Sequence, residues 1–295
     1  MQSLLRGVVL ALLWVVLPAH ASRGIIYQPQ LRDMSITDAR WEQIVTRVKQ
    51  DGFDTLIVQW TRYGDAFGTA RDADWLAARL IRAHDAGLRL VLGLYSDPAF
   101  FSRQTQNAGE LARYLAHQEY LDLDQAKVWL ARLGKGRISG WYLPAEVDDA
   151  NWRQPDRQQL LARYLAVSAR SLRSQRDVPV YISTFFTGKM SPEAYSELVR
   201  LIARQQVQPM VQDGRGTGVL NDVERDLYLS VLMPCQGRVA GIVHELFVQR
   251  PDAKAFRADA LAPERQQALL ATPDPCGSQR WFFSLRYLTA MQDMR

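Results

Sequence analysis

Cysteine is nearly absent from this chain, with two in 295 residues, Cys235 and Cys276. They stand alone in MPCQG and DPCGS, without a CxxC spacing, and the four histidines form no cluster beside them, so no metal is expected. A glycine-rich phosphate loop is also missing. The first apolar run leads into Tyr27-Gln28-Pro29-Gln30, which offers neither the tight turn nor the close backbone approach that a dinucleotide requires, and no cofactor is expected. No run of five or six like charges occurs, nor an aromatic RNA-binding signature, so nucleic acid is not an expected partner despite a formal charge of +5. The arginines are scattered along helical faces, as in RWEQIVTRVK, which is compatible with a mild, unspecific attraction to anionic polymers or membrane surfaces.

Long apolar runs are scarce as well. The longest near the start, Gly7 to Leu17, is too short for a bilayer core that takes ~20 helical residues. Arg6 precedes it and Pro18-Ala19-His20-Ala21 follows, the pattern of a secretory signal peptide over residues 1–21 cut after Ala21. The alternative is an uncleaved anchor. The mature chain, residues 22–295, is therefore expected to be exported to the periplasm or medium, without stable membrane insertion. In an oxidising compartment two cysteines have one internal pairing, so a Cys235–Cys276 disulfide is expected, joining αβ loops on the barrel face opposite the active site.

What the sequence has is rhythm. Eight short apolar runs, at 24–28, 55–60, 89–95, 138–143, 178–184, 207–212, 238–244 and 280–285, alternate with helical patterns. Trp41, Ile44, Val45 and Val48 recur at spacings of three, one and three, which puts them on one helical face. Thr37-Asp38 and Ser191-Pro192 are helix starts, and Asp51-Gly52, Ala86-Gly87 and Leu133-Gly134 are helix stops. Eight β/α repeats without a linker or a phosphate loop predict one α/β domain, a (β/α)8 TIM barrel, over 22–295; a doubly wound open sheet is the alternative.

In such a barrel the chemistry lies where the strands end. Those ends carry Gln28, Gln59, Trp60, Tyr95, Tyr142, Phe185, Asp213 and Tyr287, an aromatic and polar lining suited to the C–H faces and hydroxyls of a sugar. They also carry two carboxylates, Glu146 in GWYLPAEVDD and Glu245 in HELF. Glycosidic cleavage needs one carboxylic acid to protonate the leaving oxygen and one carboxylate to attack the anomeric carbon or activate water. Strands four and seven are not neighbours, so the two glutamates should face each other across the mouth. At about 5–5.5 Å they would give a retaining mechanism, with Glu146 as acid/base and Glu245 as nucleophile. Asp148 or Asp213 is an alternative partner in a wider, inverting pair. Glu146 could also cap the next helix or pair with Arg153, Asp213 could serve as a turn former, and His244 should point away from Glu245 by strand alternation.

Glutamates ending strands four and seven resemble the pattern of the clan of retaining β/α-barrel glycosidases. The finer motifs, QWTRYGD at 59–65, GWYLPAEVDD at 140–149, VQDGRGTG at 211–218 and HELF at 244–247, resemble the bacterial barrel family DUF4434 over nearly the whole mature chain. That resemblance implies a glycosidase-like barrel. One position departs from the clan, whose acid/base often follows an asparagine that orients the sugar 2-hydroxyl; here it follows Ala145. The expected function is an exported glycoside hydrolase acting on a bacterial polysaccharide or exopolysaccharide, trimmed during export or biofilm formation, with an exopolysaccharide export complex as a compatible partner. A non-catalytic saccharide-binding protein, which Ala145 favours, and an envelope scaffold are the alternatives.

Overall fold

In the computed structural model, which describes residues 22–232, 239–251, 256–272 and 279–292, the alternating pattern closes into a single barrel. Its parallel strands are β1 (Arg23–Tyr27), β2 (Thr55–Val58), β3 (Arg89–Gly93), β4 (Ile138–Asp148), β5 (Val180–Phe185), β6 (Gln208–Gln212), β7 (Gly241–Glu245) and β8 (Arg280–Phe283). One helix follows each strand: α1 (Asp38–Gln50), α2 (Ala70–Asp85), α3 (Ala108–Leu133), α4 (Pro155–Gln175), α5 (Pro192–Arg204), α6 (Asp222–Leu232), α7 (Pro263–Ala271) and the one-turn α8 (Thr289–Gln292). The open-sheet alternative falls because β1 and β8 pair in parallel, from Arg23 with Arg280 to Ile26 with Phe283. The expected leader over residues 1–21 and the expected Cys235–Cys276 pair lie outside the described residues. Among the described residues no helix is long and apolar enough to cross a membrane.

Local chemistry explains the helix limits. Thr37 accepts the Arg40 N–H at 3.3 Å and Ser191 that of Ala194 at 3.2 Å, each satisfying a donor that the first helical turn leaves free. Gly52, Gly87 and Gly134 take φ of 85°, 95° and 77° just past α1, α2 and α3, a conformation that other residues adopt at a cost. The periodic faces are the buried ones. Trp41, Ile44, Val45 and Val48 on α1, and Leu161, Tyr164, Leu165 and Leu172 on α4, pack in the shell between strands and helices.

A second, smaller apolar cluster fills the barrel itself, made of Ile26, Ile57, Val91, Tyr142, Tyr181, Met210, Ala240, Val243 and Trp281. Strand neighbours such as Ile25, Leu56, Leu90, Val211 and Phe282 belong to the outer shell, which fixes the parity of each strand. The Trp281 indole plugs the base: it donates to the Ala240 carbonyl at 2.9 Å and meets Tyr181 edge-on at 5.7 Å. Room for these rings comes from glycine, since a Cβ on Gly24 would lie 2.3 Å from the Trp281 ring and one on Gly140 2.9 Å from the Tyr181 ring. Burying an indole contributes roughly 4 to 6 kcal/mol at ~25 cal/mol per Å².

Above the β1/β8 seam, Arg286 clamps the two ends of the chain together. Its guanidinium donates to both Asp33 carboxylate oxygens, at 3.2 and 2.9 Å, and to the Gln28 carbonyl at 3.1 Å. Asp33 is buried and also accepts from the Tyr27 hydroxyl and the Gln30 N–H. Removing the cation strands a buried carboxylate, so Arg286→Met should cost about 3–5 kcal/mol. Urea unfolding checks this, with a fall in midpoint at unchanged slope expected.

Candidate active site

The parity set by the barrel core decides what reaches the mouth. One step beyond Ile57, Met210 and Val243, the next inward positions are Gln59, Gln212 and Glu245. Strand β4 reaches it differently. It runs past the apolar segment to Asp148, with a register shift against β5 between Leu143 and Val147, and Glu146 sits in that irregular stretch. Ala145 and Val147 pack outward in the shell, so Glu146 turns inward. Amide Nε2 atoms from two different strand ends, Gln59 and Gln212, each donate to Glu146 Oε1 at 3.4 Å. Capping and pairing do not occupy this carboxylate, because the N-cap position of α4 is Gln154, with no side-chain cap bond, and Arg153 is exposed and makes no bond to it.

Glu245 is 2% exposed and receives the Gly216 N–H at 2.6 Å through Oε2. Gly216 is required there, since a Cβ would come within 2.9 Å of that same oxygen and 2.7 Å of the Phe247 carbonyl. Asp213, also buried, shapes this loop. It takes the Arg215 N–H at 3.1 Å, as a turn former does, and the Glu245 N–H at 3.5 Å, while its other oxygen lies 3.2 Å from His244 Nδ1. His244 points out of the barrel as alternation requires, with its ring 5.3 Å from that of Phe282. Asp148 is spent locally on the N–H groups of Ala150 and Asn151 and on the Asn151 amide, so it is a turn residue rather than a second acid.

Burial drives both glutamates toward protonation. Glu146 is pushed up to about 7, chiefly by desolvation and secondarily by Asp148, against the hydrogen bond from Gln212. Glu245 is pushed up to about 8 by desolvation, then by the charge of Asp213 and more weakly of Glu146, against the N–H groups of Gly216 and Thr217. Each therefore responds first to desolvation and then to neighbouring carboxylates.

The other lining residues divide by depth and direction. Gln28 and Phe185 stand half-buried at the inward positions of β1 and β5, and Phe185 meets Phe101 at 6.3 Å. Tyr95 is half-buried beneath Arg62, whose guanidinium lies 5.6 Å from its ring centre. Three aromatic expectations need correction. Tyr142 shares Glu146's parity but lies two levels deeper, 1% exposed, with its hydroxyl on Ser183 Oγ at 2.8 Å, so its ring is floor rather than stacking surface. Tyr287 is 8% exposed and covered by Phe247 at 5.3 Å. Trp60, next to an inward residue, turns outward and donates to the Pro29 carbonyl at 3.0 Å. Gln212, which the sequence places with Asp213 at the end of strand six, supplies the second amide, whereas the Gly216 N–H inside VQDGRGTG was not singled out from sequence. Among the described residues no group of three His, Cys, Asp or Glu side chains is arranged to hold a metal ion.

Comparison with known proteins agrees with this architecture. The family model described as "Domain of unknown function (DUF4434)" matches residues 23–291. "Uncharacterized protein YbcH" of Escherichia coli K12 is 41% identical over 283 residues, covering 95% of each chain. Among solved structures, a "putative alpha-L-fucosidase" of Bacteroides thetaiotaomicron superposes with a TM-score of 0.64 at 14% identity, over 99% of this chain and 95% of that one. Xylanase B of Clostridium stercorarium F9 superposes with a TM-score of 0.53 at 13% identity, over 90% and 86%. At such identities the likeness is one of fold, and a D-allulose 3-epimerase from Methylomonas sp. superposes with a TM-score of 0.50 at 12% identity, over 90% and 85%.

The Asp213 charge is the first electrostatic influence on Glu245 after burial. Asp213→Asn removes that charge while leaving an oxygen for the loop N–H groups, so Glu245 should titrate below about 8. Carboxyl carbon NMR with labelled glutamate reads the shift directly; an upward shift or none would contradict the assigned cause.

Proposed function

The chain belongs to the DUF4434 family, and from the chemistry of its barrel mouth we propose that it is a glycoside hydrolase that cleaves a bacterial polysaccharide with retention. One observation carries the reading: Glu146 and Glu245, from strands three apart, both turn into one mouth, where neither has a cationic partner among the described residues and burial holds both near the point of ionisation. Glycosidic cleavage asks for that combination, one carboxyl carrying a proton and one carrying charge.

The proton belongs to the pair, and the hydrogen-bond donors decide where it rests. Glu245 faces the N–H groups of Gly216 and Thr217, which can only donate and so favour the ionised form. Glu146 faces two amides, which offer an oxygen as readily as an N–H. Gln59 Oε1 is buried without a donor, and an amide turned over at that site accepts the O–H of a protonated Glu146. Glu146 is therefore the acid/base and Glu245 the nucleophile. Glu245 attacks the anomeric carbon as Glu146 gives its proton to the departing glycosidic oxygen. Water then enters, Glu146 takes one of its protons as the water oxygen bonds to the anomeric carbon, and the anomeric carbon–Glu245 bond breaks, which releases the sugar and restores both groups.

The asparagine missing before Glu146 is compatible with catalysis here. Position 145 is part of the outward shell, and the amides of Gln59 and Gln212 stand at Glu146 in its stead. That weakens the case for a saccharide binder without chemistry. Export through the leader at 1–21 fits an enzyme whose polymer lies in the periplasm or beyond.

Hydrolysis of purified bacterial exopolysaccharides by the mature chain, read as new reducing ends, is the direct test. Glu146→Gln and Glu245→Gln should each lose at least about 10³-fold in kcat. The pH profile should be a narrow bell centred between about 7 and about 8. Its acid limb reports a second proton entering the pair and its alkaline limb loss of the last one, so both limbs belong to the pair and neither to one glutamate. Unchanged turnover in either variant would end the proposal.

A further inference from the structure

Nine large apolar side chains are exposed among the described residues, and six of them, Leu31, Tyr63, Phe101, Val219, Val248 and Phe256, lie in the loops that follow strand C-termini. The helical exterior contributes only Tyr120, Val223 and Leu227. Exposed apolar surface is thus concentrated on the one face where Glu146 and Glu245 open, and a concentration of that kind marks a surface that something covers.

The rings are supported. Phe101, 49% exposed in the β3–α3 loop, rests edge-on against Phe100 at 5.7 Å and meets Phe185 at the end of β5. Phe256, 58% exposed in the β7–α7 loop, stands edge-on to Phe247 at 5.5 Å. Phe247 in turn meets Phe283 at the end of β8, at 5.9 Å. This second support belongs to a small antiparallel ribbon, Phe247–Gln249 with Ala258–Ala260, held to the α6-side loop by the Gln249 N–H on the Gly216 carbonyl at 2.7 Å. Strands β3 and β7 are four apart in an eight-stranded circuit, so the two ledges lie on opposite sides of the mouth. A straight path from one to the other crosses the space into which Glu146 and Glu245 point.

We propose that Phe101 and Phe256 are stacking platforms on either side of the scissile bond, and that the substrate is an extended glycan lying across the mouth and cut internally. This rests on the hydrolase reading above. A sugar ring covers an aromatic face with its C–H bonds and leaves its hydroxyls to water, so a polymer can cover both ledges while staying hydrated at its edges. A pocket for a single terminal sugar would need walls on one side only. Tyr63, with Trp60 packed at 4.9 Å, gives a third exposed ring on the same rim beside the β3 ledge.

Binding and cleavage are read separately. Glu245→Gln is run by affinity electrophoresis through gels containing alginate, carboxymethylcellulose or poly-N-acetylglucosamine, with and without Phe101→Ala and Phe256→Ala. At least one polymer should retard the single variant, and each added alanine should weaken retardation by about tenfold or more. Tyr120→Ala, on α3, is the control and should retard normally; equal loss there would overturn the proposal. Retardation without turnover in the unmutated protein would refute the hydrolase reading and leave the platforms standing. For an active enzyme, viscosity should fall well ahead of reducing-end release, and the preference for polymer over a trisaccharide should fall tenfold in Phe101→Ala. Release of single sugars from chain ends, polymer binding indifferent to both alanines, or sedimentation with anionic lipid vesicles in place of any glycan binding would overturn it. The three alanine substitutions change exposed side chains, Glu245→Gln is isosteric at a buried position, and coincident thermal unfolding verifies the fold.

Discussion

Closure of the sheet between β1 and β8 is the constraint on which everything at the mouth depends. A parallel strand has period two, so a one-residue slip anywhere in the circuit would exchange its two faces. In β7 that exchange would bring His244 inward and send Glu245 into the shell. Closure forbids it, because the inward set must fit a tube already filled by Trp281, Tyr181, Tyr142 and Met210, and the outward set must fit the helices. The Arg286 clamp on Asp33 sits directly over the seam. Register, chosen by packing at the base, is thereby transmitted to the carboxylates at the top.

This also explains how much could be read in advance. The eight strands, the helix starts at Thr37 and Ser191 and the stops at Gly52, Gly87 and Gly134 were legible because each is local chemistry or simple periodicity. Parity was not. In strands buried on both faces, TLIVQW reads the same whether Gln59 or Trp60 points inward. Depth was equally hidden: Tyr142 and Glu146 share a face, but only the register shift in β4 separates floor from mouth. The Gly216 N–H left no side-chain signal at all. The two glutamates stand out in the sequence as candidates because a charged residue at the end of an apolar strand is costly unless something uses it.

Not every buried carboxylate at this end is poised for chemistry, and the donors around each one make the distinction. Asp149, fully buried, takes N–H bonds from Thr187, Lys189 and Met190 and the Thr187 hydroxyl, a cage that saturates it and ties the β5–α5 loop. Asp148 is saturated by its own turn. A raised pKa alone would mislead: Asp122, in the middle of α3, is pushed to about 8 by burial, yet it is bound by the Tyr95 N–H and the Tyr164 hydroxyl outside the barrel wall. Glu146 differs in kind. Among the described residues it is held by two side-chain amides at long distance, which steady it without consuming its capacity to exchange a proton.

The same economy separates the two ends of the molecule. At the base, the Trp281 ring is fully covered and its one polar atom is bonded, the N–H donating to the Ala240 carbonyl, so its burial stabilises without reservation. At the mouth the terms that favour folding are given up one by one: carboxylates are desolvated without cations, an amide oxygen on Gln59 lacks a donor, and rings such as Phe101 stay in water. Each of these is unfavourable in the free protein and relieved by a partner that brings hydroxyls to the polar atoms and C–H surface to the rings. A barrel filled to crystal-like density below can hold that arrangement open above, because the cost at the rim is small against the burial beneath it.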